Sequence, residues 1–398
     1  MSNAKAAKSI VMVGWALMLG VGCEPAPGEL REPVVRTDAV CPQGVGRFDV
    51  FVDGQVAAIG PSANQVEVAA GAVWVLESGS NTVSRFDLES EEYSAYFVDL
   101  GNERNPYGMA IDEVGGEMWV ANYASNTVSV AALQSGEVLE EIDSEGFANP
   151  SAVALTEEYA FVGNVNYLGL SQGFGPGSIS VIHRESREVV AQWETAFQNP
   201  HYLAVKKWEG REVLVAMTSG AYDLSGEEVL LQGEGGMEWW EITEEEPVHR
   251  VFSIFQERSG GRVGAVGRPH LNRERKRIYA VSGNAPALFA FDLEEEEWVY
   301  DAEEPFWLYE GGGDVTHNTA INDEGLLWIS SFNRDGLYLL DTKCEELITD
   351  VIDLGVAANM LQGVHGIALF RRGEILEGYV ILGIANGLWR VRLVPVPE

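Results

Sequence analysis

Seven times from Asn64 onward the sequence returns to one rhythm, and that periodicity restricts the fold more than any other feature of the chain. The clearest copy, residues 105–142, reads NPYGMAIDEVGGEMWVANYASNTVSVAALQSGEVLEEI. It breaks into four short apolar or β-branched runs, at 109–111, 118–121, 127–131 and 138–142, separated by Gly115-Gly116, Ser125-Asn126 and Ser135-Gly136. Runs of that length punctuated by Gly, Asn and Ser predict an antiparallel four-stranded meander. A single meander cannot bury both of its faces, so the copies must stack on one another.

The other copies begin at Asn64, Asn149, Asn199, Arg268, Thr316 and Val364. The last has only three strands, while the alternating segment 47–52, RFDVFV, belongs to no complete copy. An N-terminal strand that supplied the missing edge would close the array into a ring and leave no open edge to aggregate. The expectation is an all-β chain in which residues 44–398 form a seven-bladed β-propeller closed by that strand. A six-bladed ring or an open β-solenoid is the alternative.

The segments NTVS at Asn81 and Asn126 and Trp119-Val120-Ala121-Asn122 resemble the YVTN type of propeller repeat found in YncE-like proteins. The likeness is strongest over the first three copies. Later copies keep only the hydrophobic rhythm and an aspartate after the third strand, Asp292 or Asp341. The resemblance implies the propeller fold and an extracytoplasmic setting. It implies no particular activity, because such proteins include binding and structural ones and related propellers include lactonases.

At the N-terminus, Lys5 and Lys8 precede an apolar run at 10–21 that is too short for a dedicated membrane span. It ends Leu19-Gly20-Val21-Gly22-Cys23, which resembles a bacterial lipoprotein signal with its leucine displaced by one position. That resemblance implies a signal peptide over 1–23 ending at a lipidated Cys23. Residues 24–43, with Pro25, Pro27 and Pro33, then form a flexible tether in a cell-envelope protein attached to the membrane through its lipid alone. Secretion with cleavage nearby is the alternative. Two cysteines remain, Cys41 and Cys344; in an oxidising compartment they either pair or stand as two unrelated buried thiols.

Charge excludes one class of partner. The 61 acidic and 26 basic residues give −35, so a nucleic-acid backbone would be repelled. The acidic runs at 89–92, 244–246 and 294–297 fall at hairpins between third and fourth strands and read as solvated charge. A monomer is expected. The chain carries no phosphate-binding glycine loop, nucleophile elbow or zinc-protease helix signature.

Chemistry emerges when the first strands are set in register. They read Asn64-QVEV, Tyr107-GMAI, Ser151-AVAL, His201-YLAV, His270-LNRE, His317-NTAI and His365-GIAL, and alanines 110, 154, 204, 320 and 368 support the alignment. Four of the six histidines then share one position in four consecutive copies. First strands line the channel of a propeller, so these imidazoles would meet at its mouth. Neutral imidazole suits iron, copper or zinc. A transition metal on His201, His270, His317 and His365 is therefore expected, with Asn64, Tyr107 and Ser151 across the ring as ligand-binding residues. A metal-free polar pocket and a purely structural set of histidines compete with it. His183 and His249 read as surface residues.

Two classes of function follow. One is an envelope-anchored binding or scaffold propeller that holds a small molecule or protein at the histidine mouth. The other is a metal-dependent enzyme, for which four-histidine iron oxygenases and three-histidine zinc lyases on other propellers are analogies of architecture alone. Insertions at 167–177 and 222–236 and the connections 256–267 and 305–314 crowd the same face and read as a lid or pocket wall. Phe306, Trp307 and Tyr309 either supply its apolar surface or tuck back onto a blade.

Overall fold

Each repeat is an antiparallel sheet in the computed structural model, which describes residues 35–397 apart from 38–40, 42–43, 170–171, 224–229, 233–234, 244–246, 255–266, 284, 310–313, 315, 317 and 356–362. The seven sheets form a ring, a seven-bladed β-propeller. The first strands of blades 1 to 7 are Ala63–Ala69, Pro106–Asp112, Pro150–Leu155, Pro200–Trp208, His270–Asn272, Thr319–Ile321 and Val364–Arg372. In each blade the second, third and fourth strands follow outward from the first. The signal segment, Cys23, most of the tether and His317 lie outside the described residues.

The ring is closed as the missing strand predicted. Phe48–Ala58 pairs antiparallel with Gly387–Pro395, from Phe48 opposite Pro395 to Ala58 opposite Gly387. It runs six residues beyond the expected segment because bulges between Val52 and Gly54 and between Gln55 and Ala57 let it follow the twisting edge. Val35–Arg36 adds a short outer strand. Asp53 fastens the seam by accepting from the Arg390 and Arg392 guanidinium groups at 2.7 Å. A disulfide joins Cys41 to Cys344, with Cα atoms 6.1 Å apart, and so ties the entry of the chain to blade 6.

Packing between blades rests on one recurring position in the second strand. Trp74, Trp119, Phe161, Tyr279, Trp328 and Tyr379 occupy it in six blades and are all fully buried; blade 4 has Val215 there. Trp328 lies so close to blade 7 that a Cβ at Gly378 would come within 2.5 Å of its ring. Truncating such an aromatic costs about 3–5 kcal/mol through lost contact and residual cavity.

The NTV segments owe their recurrence to blade linkage. Asn81 and Asn126 take positive φ, 60° and 56°, in the turn between second and third strands. From there Asn81 Oδ1 accepts from the backbone N–H of Arg104 and Asn105, and Asn126 Oδ1 accepts from that of Asn149 at 2.7 Å. Asparagine suits both demands, because it tolerates left-handed backbone and carries an acceptor. Asp87 and Asp292 end their third strands as turn caps, each accepting two backbone N–H groups from the acidic hairpin that follows. Phe306–Trp307 pairs with the third strand of blade 5, so this segment tucks onto a blade rather than roofing the channel.

Candidate functional site

In five blades the first strand is bulged, and the extra residue in each bulge is the one the sequence alignment singles out. The register skips Asn64 between Ala63 and Gln65, Tyr107 between Pro106 and Gly108, and Ser151 between Pro150 and Ala152. It skips His201 between Pro200 and Tyr202 and His365 between Val364 and Gly366 in the same way. A bulged residue has no partner across the ladder, so its side chain is re-aimed. Here all five line one cavity of about 260 Å³ at the channel mouth. The sequence cause is visible in blades 2 to 4: Asn105, Asn149 and Asn199 adopt positive φ immediately before a proline that starts the strand.

His270 does not belong to this set, which corrects the sequence register in blade 5. It pairs with Tyr279, as Ala204 pairs with Val215 and Ala320 with Trp328. It therefore occupies the alanine layer, three residues deeper. Counting back, Gly267 takes the place held by His201 in blade 4, and Gly267 lines the mouth. Arg273 stands where five of the other six copies have alanine, so blade 5 lacks that landmark.

Tyr107 and His201 meet across blade 3, with Oη and Nε2 3.2 Å apart and ring centroids 4.9 Å apart in an edge-on arrangement. The small Ser151 between them leaves the room. Its hydroxyl is turned toward the carbonyls of Gly163 and Pro200, both at 3.4 Å. His201 Nδ1 is buried without a hydrogen-bond partner. His365 Nδ1 lies 3.3 Å from the Asn64 carbonyl oxygen, to which it can only donate, so its Nε2 carries the lone pair. The Asn64 amide reaches Ser78 Oγ and the Pro106 carbonyl.

Electrostatics keeps the imidazoles neutral. Burial, aided by the nearby His365, lowers the His201 pKa to about 4. Burial also lowers His365, partly offset by its bond to Asn64. Burial raises the Tyr107 phenol, which stays protonated. The mouth thus offers two neutral imidazoles and a phenol, a set suited to hydrogen-bonding a polar ligand or to ligating a metal. Among the described residues, no three His, Cys, Asp or Glu side chains converge with metal-holding geometry.

Several channel residues escaped the sequence reading. Arg268 of blade 5 reaches across the axis to Glu67 of blade 1 and forms an ion pair with it. Glu67 also accepts from Gln65 Nε2 at 2.7 Å. This strut divides the channel: Arg268 borders the mouth on one side and, on the other, a second cavity that also holds Lys206 and His270. Of the expected lid segments, Gly267 lines the mouth, and two others contain small hairpins. Tyr167–Gly169 pairs with Gly173–Phe174 as a small hairpin that does not line the mouth cavity, and Ala221–Asp223 pairs with Leu230–Gln232 as another. His249 is exposed on its outer strand as expected, and there it stacks on Trp240 at 4.3 Å and bonds the buried Glu238 at 2.9 Å.

No protein-family model matches the sequence, and no curated protein does either. Solved structures match at the level of the fold. Hydrazine synthase of Kuenenia stuttgartiensis aligns over 84% of this chain and 96% of its own with TM-score 0.60 and 15% identity. A streptogramin B lyase aligns over 87% and 98%, with TM-score 0.60 and 8% identity. Virginiamycin B lyase from Staphylococcus aureus aligns over 88% and 100%, with TM-score 0.59 and 11% identity.

Proposed function

We propose that this chain is an exported, lipid-anchored propeller of the YVTN type that binds a small polar molecule at the channel mouth. The observation that carries the reading is the repeated bulge: five blades spend a break in their ladder to aim Asn64, Tyr107, Ser151, His201 and His365 into one cavity. His201 and Tyr107 form the polar centre, and His365 faces them from across the ring. A screen of small polar compounds by thermal shift tests it. Compounds that stabilise the protein should lose their effect in Tyr107→Ala and in His365→Ala; stabilisation unchanged in both variants would refute the site. The anchor is checked separately by lipid labelling that disappears in Cys23→Ser.

A second reading is favoured by the unpartnered His201 Nδ1, since a neutral imidazole with a lone pair to offer is what a transition metal requires, and by the fixed tautomer of His365. His201 and His365, with His317 as the third ligand, would hold iron, copper or zinc, which would act as a Lewis acid or oxygen activator. In an enzyme of this kind Tyr107 is placed to pass a proton to or from His201. The names of two of the structural neighbours describe lyases, a likeness of fold that brings no reaction with it. Elemental analysis of protein purified without an affinity tag, beside His317→Ala, separates the two readings. Stoichiometric metal lost in the variant supports the second, and protein that stays metal-free after loading removes it.

A further inference from the structure

Beyond the Arg268–Glu67 strut the channel widens into a cavity of about 450 Å³. Its width follows from the sequence: the layer level with His270 is alanine in five of the other six blades, Ala110, Ala154, Ala204, Ala320 and Ala368, and five methyl groups leave the axis open. The next residues along the strands are branched aliphatics such as Ile111, Leu155, Ile321 and Leu369. Fifteen of the twenty residues that line it are therefore alanine or branched aliphatics, with backbone groups and five polar side chains making up the rest of the wall.

The charged groups on that wall, Glu67 and Glu113 against Lys206 and Arg268, cancel in number but not in place. Arg268 is neutralised by Glu67. Glu113 sits at the exposed rim and accepts from the backbone N–H of Ala70 at 2.9 Å. Lys206 has no ion-pair or hydrogen-bond partner among the described residues. Burial, with Arg268 and Arg273 nearby and Glu67 only partly compensating, lowers its pKa to about 8. His270 contributes a second unsatisfied group: its Nε2 is buried without a partner. A part-buried ammonium without an ion-pair partner, facing a cavity lined largely by aliphatic side chains, is an arrangement that a bound anion would stabilise.

We infer that this inner cavity binds an aliphatic monocarboxylate, its carboxylate on Lys206 beside Arg268 and its hydrocarbon body against the alanine layer. A single uncompensated ammonium matches one negative charge, and the aliphatic wall selects against a bare inorganic anion. The site is separate from the mouth and stands whether or not the mouth binds a ligand.

Calorimetric titration of the full chain with acetate, butyrate, hexanoate and octanoate tests this. Affinity should rise about fourfold per added methylene until the cavity is filled, the increment expected for burying a CH₂ group. Lys206→Met should weaken hexanoate binding at least tenfold while His365→Ala leaves it within twofold. Near-ultraviolet circular dichroism of both variants checks that each is folded, and Lys206→Arg, which keeps the charge, should retain most of the binding. The inference is overturned if no member of the series binds, if 1-hexanol binds as tightly as hexanoate, if inorganic phosphate binds as tightly as octanoate, or if folded Lys206→Met binds like the parent.

Discussion

Blades 4 and 5 each place one histidine on the innermost strand, both held neutral by burial and each with one unpartnered nitrogen, yet the two face different cavities. His201 fills a bulge, points into the mouth and touches Tyr107. His270 takes a regular paired position and lines the inner cavity beside Lys206. Three residues of register, about 10 Å along a strand, separate a mouth residue from an inner-chamber residue. In a propeller the residue type chooses the chemistry, but the bulge chooses where the chemistry happens.

The sharpest way to break that comparison is to remove each histidine in turn. If a metal occupies the mouth, His201→Ala should weaken zinc binding by about a hundredfold, while His270→Ala changes it less than twofold. Equal losses measured by competition with a chromogenic chelator would return His270 to the mouth and defeat the register assigned here.

The pH dependence of stability comes next in size. His201 has a folded pKa near 4, below the ordinary 6.5 of the unfolded chain. Between those values the unfolded chain binds the extra proton, so stability falls as pH drops from 6.5 toward 4 and this contribution is flat outside the window. Allowing for water in the channel, the loss from this group is about 2 kcal/mol. Urea unfolding at pH 6.5 and 4.5 should show that loss shrinking in His201→Gln. An unchanged pH slope would mean that the imidazole is not held neutral.

Smaller again is the gain from building what the alignment expected. Gly267 occupies the blade 5 counterpart of His201, so Gly267→His should add an imidazole at the mouth and tighten zinc binding about tenfold. The same histidine placed at Ala204, in the inner layer, should leave zinc binding at the mouth unchanged.

These contrasts show which parts of the molecule the sequence makes legible. The blades were readable because each strand is bounded by local turn signals, and the closing strand because an incomplete seventh copy demands one. Tyr107, Ser151, His201 and His365 were readable as a set because the alanine three residues on, or the Asn-Pro pair before them, marks the register, and Asn64, with Glu67 three residues on, was placed by the rhythm of its copy. His270 was misplaced where Arg273 removed that mark. Arg268, Glu67 and Lys206 went unseen because charge on an alternating strand reads as solvent exposure; only closure of the ring turns those side chains inward. The Tyr107–His201 contact joins blades 2 and 4 and has no local signature at all.

The smallest effect tests why blades 1 and 2 keep their asparagine while blade 4 carries an insertion at the same turn. Asn126 does two things: it holds φ at 56°, and its Oδ1 binds the Asn149 N–H at the entry to the Ser151 bulge. Asn126→Ala loses both and should cost about 1 kcal/mol. Asn126→Gly keeps the backbone freedom and loses only the acceptor, whereas Asn126→Asp keeps the acceptor and the tolerance for that φ. Chemical denaturation should therefore rank stability as parent and Asp above Gly above Ala. If Gly matched the parent, the hydrogen bond between blades would contribute nothing, and the repeated asparagine would be explained by backbone conformation alone.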